Sequence, residues 1–293
     1  MIKLPLFILL SLFCFSTAIA TTPAALAPNH SSTLLEPWQI IPPTPDLPKP
    51  KHSGYAPINH VKIWYAEYGQ GAPVILLHGG LVNSNYWGKL IPVLEKHYHV
   101  IVMDTRGHGR SSLDDAPLSY HLMAKDVLGL MDVLHLKNAA IVGWSDGANI
   151  GLDIAVHHPE RLTKLFALGG NSTPDATMDV TQYPSFNPFS KRIEKEYMAL
   201  SPTPSIENYN LLNQRIVKMW KSEPNFTTKM LERITVPTWI VSGDHDEAIK
   251  RSNTEYMART IPHAGLLIEP NAGHFAFLQY PAKFNDDVLH FLE

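Results

Sequence analysis

The stretch Ala139–Asn149, AAIVGWSDGAN, decides how the rest of this chain is interpreted. Its first four residues are apolar and typical of a buried strand, and apolar residues at helical spacing follow it. The glycines Gly143 and Gly147 flank the centre, which indicates that the helix and strand approach too closely for side chains there. Ser145, between them, must then take a strained backbone conformation. The stretch predicts a strand, a sharp turn that exposes the Ser145 hydroxyl, and a helix whose N-terminus favours negative charge.

This five-residue pattern, G-x-S-x-G, is weak evidence alone because it arises by chance in many chains. The alternative is that Ser145 is a helix N-cap and the glycines mark an ordinary turn. The rest of the chain therefore has to decide between the two interpretations.

Composition limits the classes of protein to consider. The chain has 293 residues, of which 45% are hydrophobic and 17% charged, which fits one large globular domain. Its net charge of −3 gives no basic surface, so no nucleic-acid partner is predicted. The single cysteine, Cys14, lies in the N-terminal apolar run. After removal of that run we expect neither a disulfide nor a thiol nucleophile.

The N-terminus has the features of a secretory signal peptide at residues 1–20. Lys3 precedes the apolar run Leu4–Phe15, and Ala18-Ile19-Ala20 offers a cleavage site near Ala20. The run is short for a membrane span, although an uncleaved anchor is the alternative. We therefore predict a secreted or periplasmic protein without a stable membrane span. Residues 21–54 are rich in proline and predict an extended N-terminal arm rather than a folded unit.

Residues 55–293 alternate between strand and helix patterns. Several short apolar runs do not alternate with polar residues, which is typical of parallel strands buried on both faces. The predicted strands are Val61–Tyr68, Val74–Leu77, Val100–Met103, Ala139–Val142, Leu165–Leu168, Trp239–Val241 and Leu266–Ile268. The pattern predicts an α/β fold with a doubly wound, mostly parallel sheet. Mostly helical sequence at about 171–235 interrupts the alternation, which suggests a helical lid inserted above the sheet.

Three chemically suitable side chains follow predicted strands: Ser145, Asp246 and His274. Ligands of open α/β sheets bind at the C-terminal ends of the strands, where these residues are expected to meet. A serine hydroxyl needs a base to take its proton, and histidine titrates near neutral pH. A carboxylate on the far side of the imidazole would orient it and stabilise its charged form.

Five motifs stand in the order found in the α/β-hydrolase fold superfamily, and the chain resembles that superfamily over nearly all of residues 55–293. They are His78-Gly79-Gly80, Asp104–Ser111 (DTRGHGRS), Gly143–Gly147, Gly243–Asp246 and Gly273-His274-Phe275. The G-W-S-D-G turn with the following Ala-Asn is similar to the branch of valacyclovir hydrolase-like and biphenyl hydrolase-like enzymes.

The resemblance implies a role for each candidate. Ser145 would be the nucleophile, His274 the base and Asp246, rather than Asp244, the orienting acid. The backbone amides of Gly80 and Asp146 would form the oxyanion hole, with Leu81 as the second choice for the first donor.

These expectations predict a serine hydrolase that cleaves small carboxylic esters through an acyl-enzyme. Alternatives on the same triad are an aminopeptidase or amidase and a perhydrolase or lactonase. A ligand-binding protein that keeps the fold without turnover is the non-enzymatic alternative. The Asp146 carboxylate has two interpretations, binding of a substrate cation or capping of its helix.

Other features leave the substrate open. Large apolar residues of the predicted lid would either line a pocket or form the lid's own core, namely Phe186, Phe189, Tyr197, Met198, Tyr209, Met219 and Trp220. No cofactor is predicted. No metal site is predicted either, because Asp244-His245-Asp246 and His157-His158 have no convincing third ligand by spacing. The expected partner is a small ester or amide substrate, and the oligomeric state is open.

Overall fold

The computed structural model describes residues 35–293. The predicted signal peptide and the first part of the proline-rich arm lie outside the described residues. The helices within residues 35–293 include none that is both long and apolar enough to cross a membrane.

The sheet has eight strands in the order β1-β2-β4-β3-β5-β6-β7-β8. The first two pairings, β1 with β2 and β2 with β4, are antiparallel, and all the others are parallel. This confirms the predicted α/β fold with a mostly parallel sheet. The strands are β1 (His52–Ile58), β2 (Val61–Gly69), β3 (Ala72–Leu77), β4 (Tyr98–Met103), β5 (Ala139–Trp144), β6 (Leu162–Leu168), β7 (Thr238–Gly243) and β8 (Ala264–Glu269).

Burial explains why the central strands lack alternation. Val74–Leu77 in β3 and Ala139–Trp144 in β5 are buried along their whole length. Both strands have neighbours on either side and lie in the middle of the sheet, where parallel strands are covered on both faces. The edge strand β1 alternates between exposed and buried residues instead.

The hairpin of β1 and β2 turns at Asn59 and His60. Both residues have positive φ angles, 44° and 69°, which suits the twist of a two-residue hairpin. The first strand begins at His52, three residues before the predicted domain start at residue 55. His52 pairs with Glu67 of β2, so the longer partner strand extends the pairing into the proline-rich arm.

Nine α-helices accompany the sheet within the described part of the chain. They are α1 (Ile91–Leu94), α2 (Tyr120–Val133), α3 (Asp146–His157), α4 (Phe186–Leu200), α5 (Ile206–Trp220), α6 (Thr228–Leu231), α7 (Arg251–Thr260), α8 (Ala276–Gln279) and α9 (Pro281–Leu292). Helices α4, α5 and α6 all lie between β6 and β7, in the segment where an insertion was expected. We call residues 171–237 the helical insertion.

Residues 36–50 contain one short 3₁₀ turn, Pro37–Gln39, and are otherwise without regular structure. Proline explains this, because it lacks an amide hydrogen and fixes φ. The segment nevertheless lies against the domain, and Ile41 and Leu47 pack on the hydrophobic core.

Candidate active site

The turn between β5 and α3 has the predicted strain. Ser145 has φ 56° and ψ −116°, a conformation that costs a non-glycine residue free energy and persists only where the surrounding structure imposes it. A Cβ on Gly143 would lie 2.3 Å from the carbonyl oxygen of Gly147. A Cβ on Gly147 would lie 2.1 Å from the carbonyl oxygen of Leu77. Both glycines are therefore required by the close packing of α3 on the sheet, as the sequence predicts.

Ser145 and His274 line the same cavity, which has a volume of about 400 Å³. Asp246 lies behind His274, and the imidazole Nδ1 is 3.1 Å from each carboxylate oxygen. All three residues come from loops that follow β5, β7 and β8. The structure therefore brings the histidine and aspartate candidates into direct contact. The histidine and serine candidates line the same cavity.

The Asp246 carboxylate is held by groups other than His274. Its Oδ1 accepts hydrogen bonds of 2.9 Å from the amides of Ala248 and Ile249, and its Oδ2 accepts one of 3.1 Å from the Ser242 hydroxyl. Burial raises the pKa of Asp246, but the charge and hydrogen bond of His274 and the two amides outweigh burial and leave the pKa below its usual value. The carboxylate is therefore an ionised partner for the imidazole.

The imidazole of His274 responds in the opposite sense. Burial lowers its pKa, but the nearby negative charge and hydrogen bond of Asp246, with further contributions from Glu247 and Asp146, raise the pKa above its usual value. The charge and the hydrogen bond of Asp246 both stabilise the imidazolium, the form that a general base takes after it accepts a proton.

Two residues that sequence reasoning missed hold the His274 loop in place. The indole of Trp144 donates a 2.9 Å hydrogen bond to the carbonyl oxygen of His274. The amide of His274 donates a 2.8 Å bond to the Glu247 carboxylate. Trp144 adjoins Ser145 and Glu247 adjoins Asp246, so both residues lie next to candidates that the sequence identifies. Their bonding partner, the backbone of His274, is distant in sequence and could not be inferred from spacing.

The loop after β3 passes over the start of α3. Gly80 and Leu81, the two alternatives for the first oxyanion-hole donor, line the cavity with Ser145 and Asp146. A Cβ on Gly80 would lie 2.5 Å from Asp146 Oδ2, so Gly80 and Asp146 face each other at close range. As the first residue of α3, Asp146 has a backbone amide without an intrahelical acceptor.

The Asp146 side chain is buried and bonded to residues of other helices. Its Oδ1 accepts 2.8 Å hydrogen bonds from the Tyr120 hydroxyl and the Trp220 indole. Within the described chain its Oδ2 has no hydrogen-bond partner. Burial raises the pKa of Asp146 to about 6, against the lowering effect of these two hydrogen bonds. Bonds to Tyr120 and Trp220, rather than to the amides of α3, do not fit the helix-capping interpretation.

The helical insertion supplies much of the cavity wall. Of the seven large residues considered for this role, Phe186, Phe189, Tyr209 and Trp220 line the cavity. Tyr197 and Met219 are buried in the core, and Met198 is 41% exposed. Both sequence interpretations therefore hold, each for part of the set.

The Asp104–Ser111 motif forms a supporting network. Asp104 is fully buried and accepts hydrogen bonds from the amide and hydroxyl of Ser84 and from the backbone and guanidinium of Arg110. His78 accepts a 3.0 Å bond from the Thr105 amide, which connects the loop after β3 to the loop after β4.

A histidine group missed by local spacing lies on α2 and α3. The fold brings His157 close to Asp153 on its own helix and to His121 on α2. One imidazole nitrogen of each histidine and one carboxylate oxygen of Asp153 lie within 4.8 Å of one another, close enough to hold a metal ion together. The imidazoles of His121 and His157 are 3.0 and 3.4 Å from the Asp153 carboxylate. His158, the sequence neighbour of His157, is not part of the group.

Comparison with known proteins identifies the fold family. The family model described as alpha/beta hydrolase fold matches residues 72–221, more than half of the chain. The mouse serine hydrolase BPHL is 26% identical over 250 residues, which are 80% of this chain and 84% of BPHL. A 2-hydroxy-6-oxo-6-(2'-aminophenyl)hexa-2,4-dienoic acid hydrolase of Metapseudomonas resinovorans is 24% identical over 79% of this chain and 88% of its own length.

Among solved structures, a serine hydrolase involved in carbazole degradation superposes with a TM-score of 0.71 and 24% identity. The match covers 98% of that protein but 82% of this chain. Residues 35–54 of the arm lie before residue 72, where the match to the family model begins. Because that model matches more than half of the chain and the similar proteins are hydrolases, the chain belongs to the α/β-hydrolase fold family and is a hydrolase.

Proposed function

We propose that this hydrolase cleaves small carboxylic esters through an acyl-enzyme, with Ser145, His274 and Asp246 as its triad. The observation that carries the proposal is one cavity lined by the strained Ser145 and by His274, whose Nδ1 lies 3.1 Å from the Asp246 carboxylate. Because Nδ1 is engaged by the carboxylate, Nε2 is the ring nitrogen left to act as the base.

The proposed reaction gives each group one role. His274 takes the hydroxyl proton as Ser145 Oγ attacks the substrate carbonyl, and Asp246 stabilises the imidazolium that forms. The amides of Gly80 and Asp146 stabilise the oxyanion, a contribution of about 10² or more per donor. His274 returns the proton to the leaving alcohol, and the same nitrogen then activates water to hydrolyse the acyl-enzyme.

The test compares the wild type with Ser145→Ala on p-nitrophenyl acetate. We expect wild-type turnover and an initial burst of nitrophenol, with both lost in the variant. Equal melting temperatures would show that the variant is folded. Turnover that survives in Ser145→Ala would exclude this serine as the nucleophile.

A second candidate is hydrolysis of esters or amides that carry a free α-amino group. The observation that favours it is Asp146, a residue of the cavity wall whose Oδ2 is a buried carboxylate oxygen without a hydrogen-bond partner among residues 35–293. With a pKa of about 6 the group is largely ionised at neutral pH. A substrate ammonium group would supply the missing partner in a charge-assisted hydrogen bond.

Alanine p-nitrophenyl ester and p-nitrophenyl propionate test this candidate, because they differ by the amino group alone. A hydrogen bond to a charged group contributes about 1.5–3 kcal/mol, so Asp146→Asn should lower kcat/KM for the alanine ester by about 10- to 150-fold. The propionate ester should change little. An equal loss on both esters would contradict cation binding.

We also propose that residues 1–20 direct export and are removed after Ala20. The basis is the sequence pattern of a charged start, apolar run and small-residue site. The mass of the protein recovered from the periplasm or medium of an expressing bacterium should correspond to a chain that begins at Thr21. Recovery of the full-length chain from the membrane fraction would indicate an anchor instead.

A further inference from the structure

The segment Trp38–Thr44, the docked part of the arm, has no regular structure after its first 3₁₀ turn, yet it contacts three separate parts of the active site. We propose that this segment completes the substrate pocket, with Ile41 as a specificity-determining wall residue. The proposal rests on the proposed ester hydrolysis, and it assigns a role to a segment that lies before the family match.

The first contact is with the cavity itself. Ile41 lines the cavity that also contains Ser145 and His274, and its side chain packs on the hydrophobic core. Its neighbour Ile40 is 48% exposed. Ile41 therefore lies in the cavity wall, whereas the preceding residue, Ile40, is exposed to solvent.

The second contact holds the segment to α4 of the helical insertion. The Arg192 guanidinium donates hydrogen bonds of 3.0 and 2.6 Å to the carbonyl oxygens of Ile41 and Pro42. The Thr44 hydroxyl donates to Glu196, one turn further along α4. Glu196 also accepts a 3.2 Å bond from Asn83, in the loop that follows β3. The segment thereby connects the insertion with the loop that carries Gly80.

The third contact is with the loops of the aspartate and the histidine. Trp38 stacks on His245, which precedes Asp246, at 3.9 Å between ring centroids and 7° between planes. Gln279 donates to the carbonyl oxygens of Trp38 and Ile40 at 2.9 and 3.1 Å. The same side chain accepts a 2.8 Å bond from the amide of Gly273, next to His274.

These contacts have a consequence for specificity. Ile41 is positioned by bonds to its own backbone and that of its neighbours, so its side chain presents a fixed apolar surface to the substrate. The insertion adds aromatic side chains to the same cavity wall, among them Phe186, Phe189 and Trp220, together with aliphatic and polar ones. An acyl chain that extends from Ser145 toward Ile41 would bury apolar surface there, whereas an acetyl group would be too short to do so.

The kinetic test uses the whole mature chain, with the arm intact, on p-nitrophenyl acetate and p-nitrophenyl hexanoate. In a hydrophobic pocket a single methylene changes kcat/KM by about 10-fold or more. We expect Ile41→Ala to lower kcat/KM for the hexanoate by about tenfold and to change the acetate value by less than about twofold. Ile40→Ala is the matched control, and its hexanoate-to-acetate ratio should equal that of the wild type.

A second pair of variants tests whether the ties to α4 position the wall. Arg192→Ala should lower the hexanoate-to-acetate ratio in the same direction as Ile41→Ala. Lys191→Ala, an exposed neighbour on the same helix, should not change it. Hydrogen exchange of a peptide that covers residues 36–48 should accelerate in Arg192→Ala and not in Lys191→Ala.

The outcomes separate this inference from the proposed function. Turnover that persists in Ser145→Ala would contradict the proposed chemistry, while the exchange experiment would still report whether the segment is docked. An active wild type with equal ratios in Ile41→Ala and Ile40→Ala would overturn the role of the segment and leave the triad intact. Unchanged exchange in Arg192→Ala would contradict the positioning bonds.

Discussion

Replacing Asp246 by asparagine should abolish most of the activity while it preserves the fold. Oδ1 of Asp246 accepts from the amides of Ala248 and Ile249 at 2.9 Å, and these donors require an oxygen. The asparagine carbonyl will therefore take the Oδ1 position and its NH₂ group the Oδ2 position. That NH₂ group would then lie 3.1 Å from Nδ1 of His274, as near as the carbonyl oxygen in the Oδ1 position, which already accepts from two amides.

A donor at that place favours the imidazole tautomer with its proton on Nε2, which cannot take a proton from Ser145. The imidazolium also loses the charge that stabilises it. Together these effects should lower kcat by about 10⁴, the loss known for the equivalent change in a serine-protease triad, or about 5 kcal/mol of transition-state stabilisation.

The assay is kcat for p-nitrophenyl acetate together with the urea midpoint of unfolding. Asp244→Asn is the matched control, because Asp244 accepts from the Ala272 amide, which asparagine can still bond. We expect the control to keep kcat within about twofold. An Asp246→Asn enzyme within about tenfold of the wild type would show that the carboxylate does not set the tautomer.

Three further predictions follow from the surroundings of the site. The acid limb of the kcat/KM profile should lie at a higher pH than an ordinary histidine would give, because the base must be neutral and the pKa of His274 is raised. Glu247→Gln keeps an acceptor for the His274 amide but removes a charge, so it should move the limb to lower pH. An unmoved limb would contradict this electrostatic account. Gly147→Ala places a Cβ 2.1 Å from a backbone oxygen, whereas the Cβ of Gly151→Ala meets the flexible end of the Leu165 side chain at 2.6 Å. Urea titration should therefore show that Gly147→Ala lowers the free energy of unfolding by about 3 kcal/mol or more, and that Gly151→Ala lowers it by less. Trp144→Phe keeps an aromatic ring but leaves the buried His274 carbonyl without its donor, so it should lower the free energy of unfolding by about 1–3 kcal/mol. An unchanged urea midpoint would show that this bond contributes nothing to stability.

The fold and the placement of the candidate triad were readable from the sequence because they depend on short contiguous patterns. Central strands show as apolar runs since both faces are buried, and the turn at Ser145 shows as two glycines since a Cβ there would meet backbone atoms. The predicted order of strands and motifs then places Ser145, Asp246 and His274 at the same edge of the sheet. Local sterics and burial are properties that neighbouring residues carry in their own chemistry.

Contacts between distant residues could not be read in this way. The Asp146 carboxylate had two interpretations until Tyr120 and Trp220 were seen to bond it, from 26 and 74 positions away in the chain. Likewise, the proline-rich composition of the arm indicates an extended chain but not its docking, which depends on Arg192 of α4, about 150 positions away. Composition and spacing specify what a segment can form locally; which distant side chain satisfies its polar groups depends on how the whole chain packs.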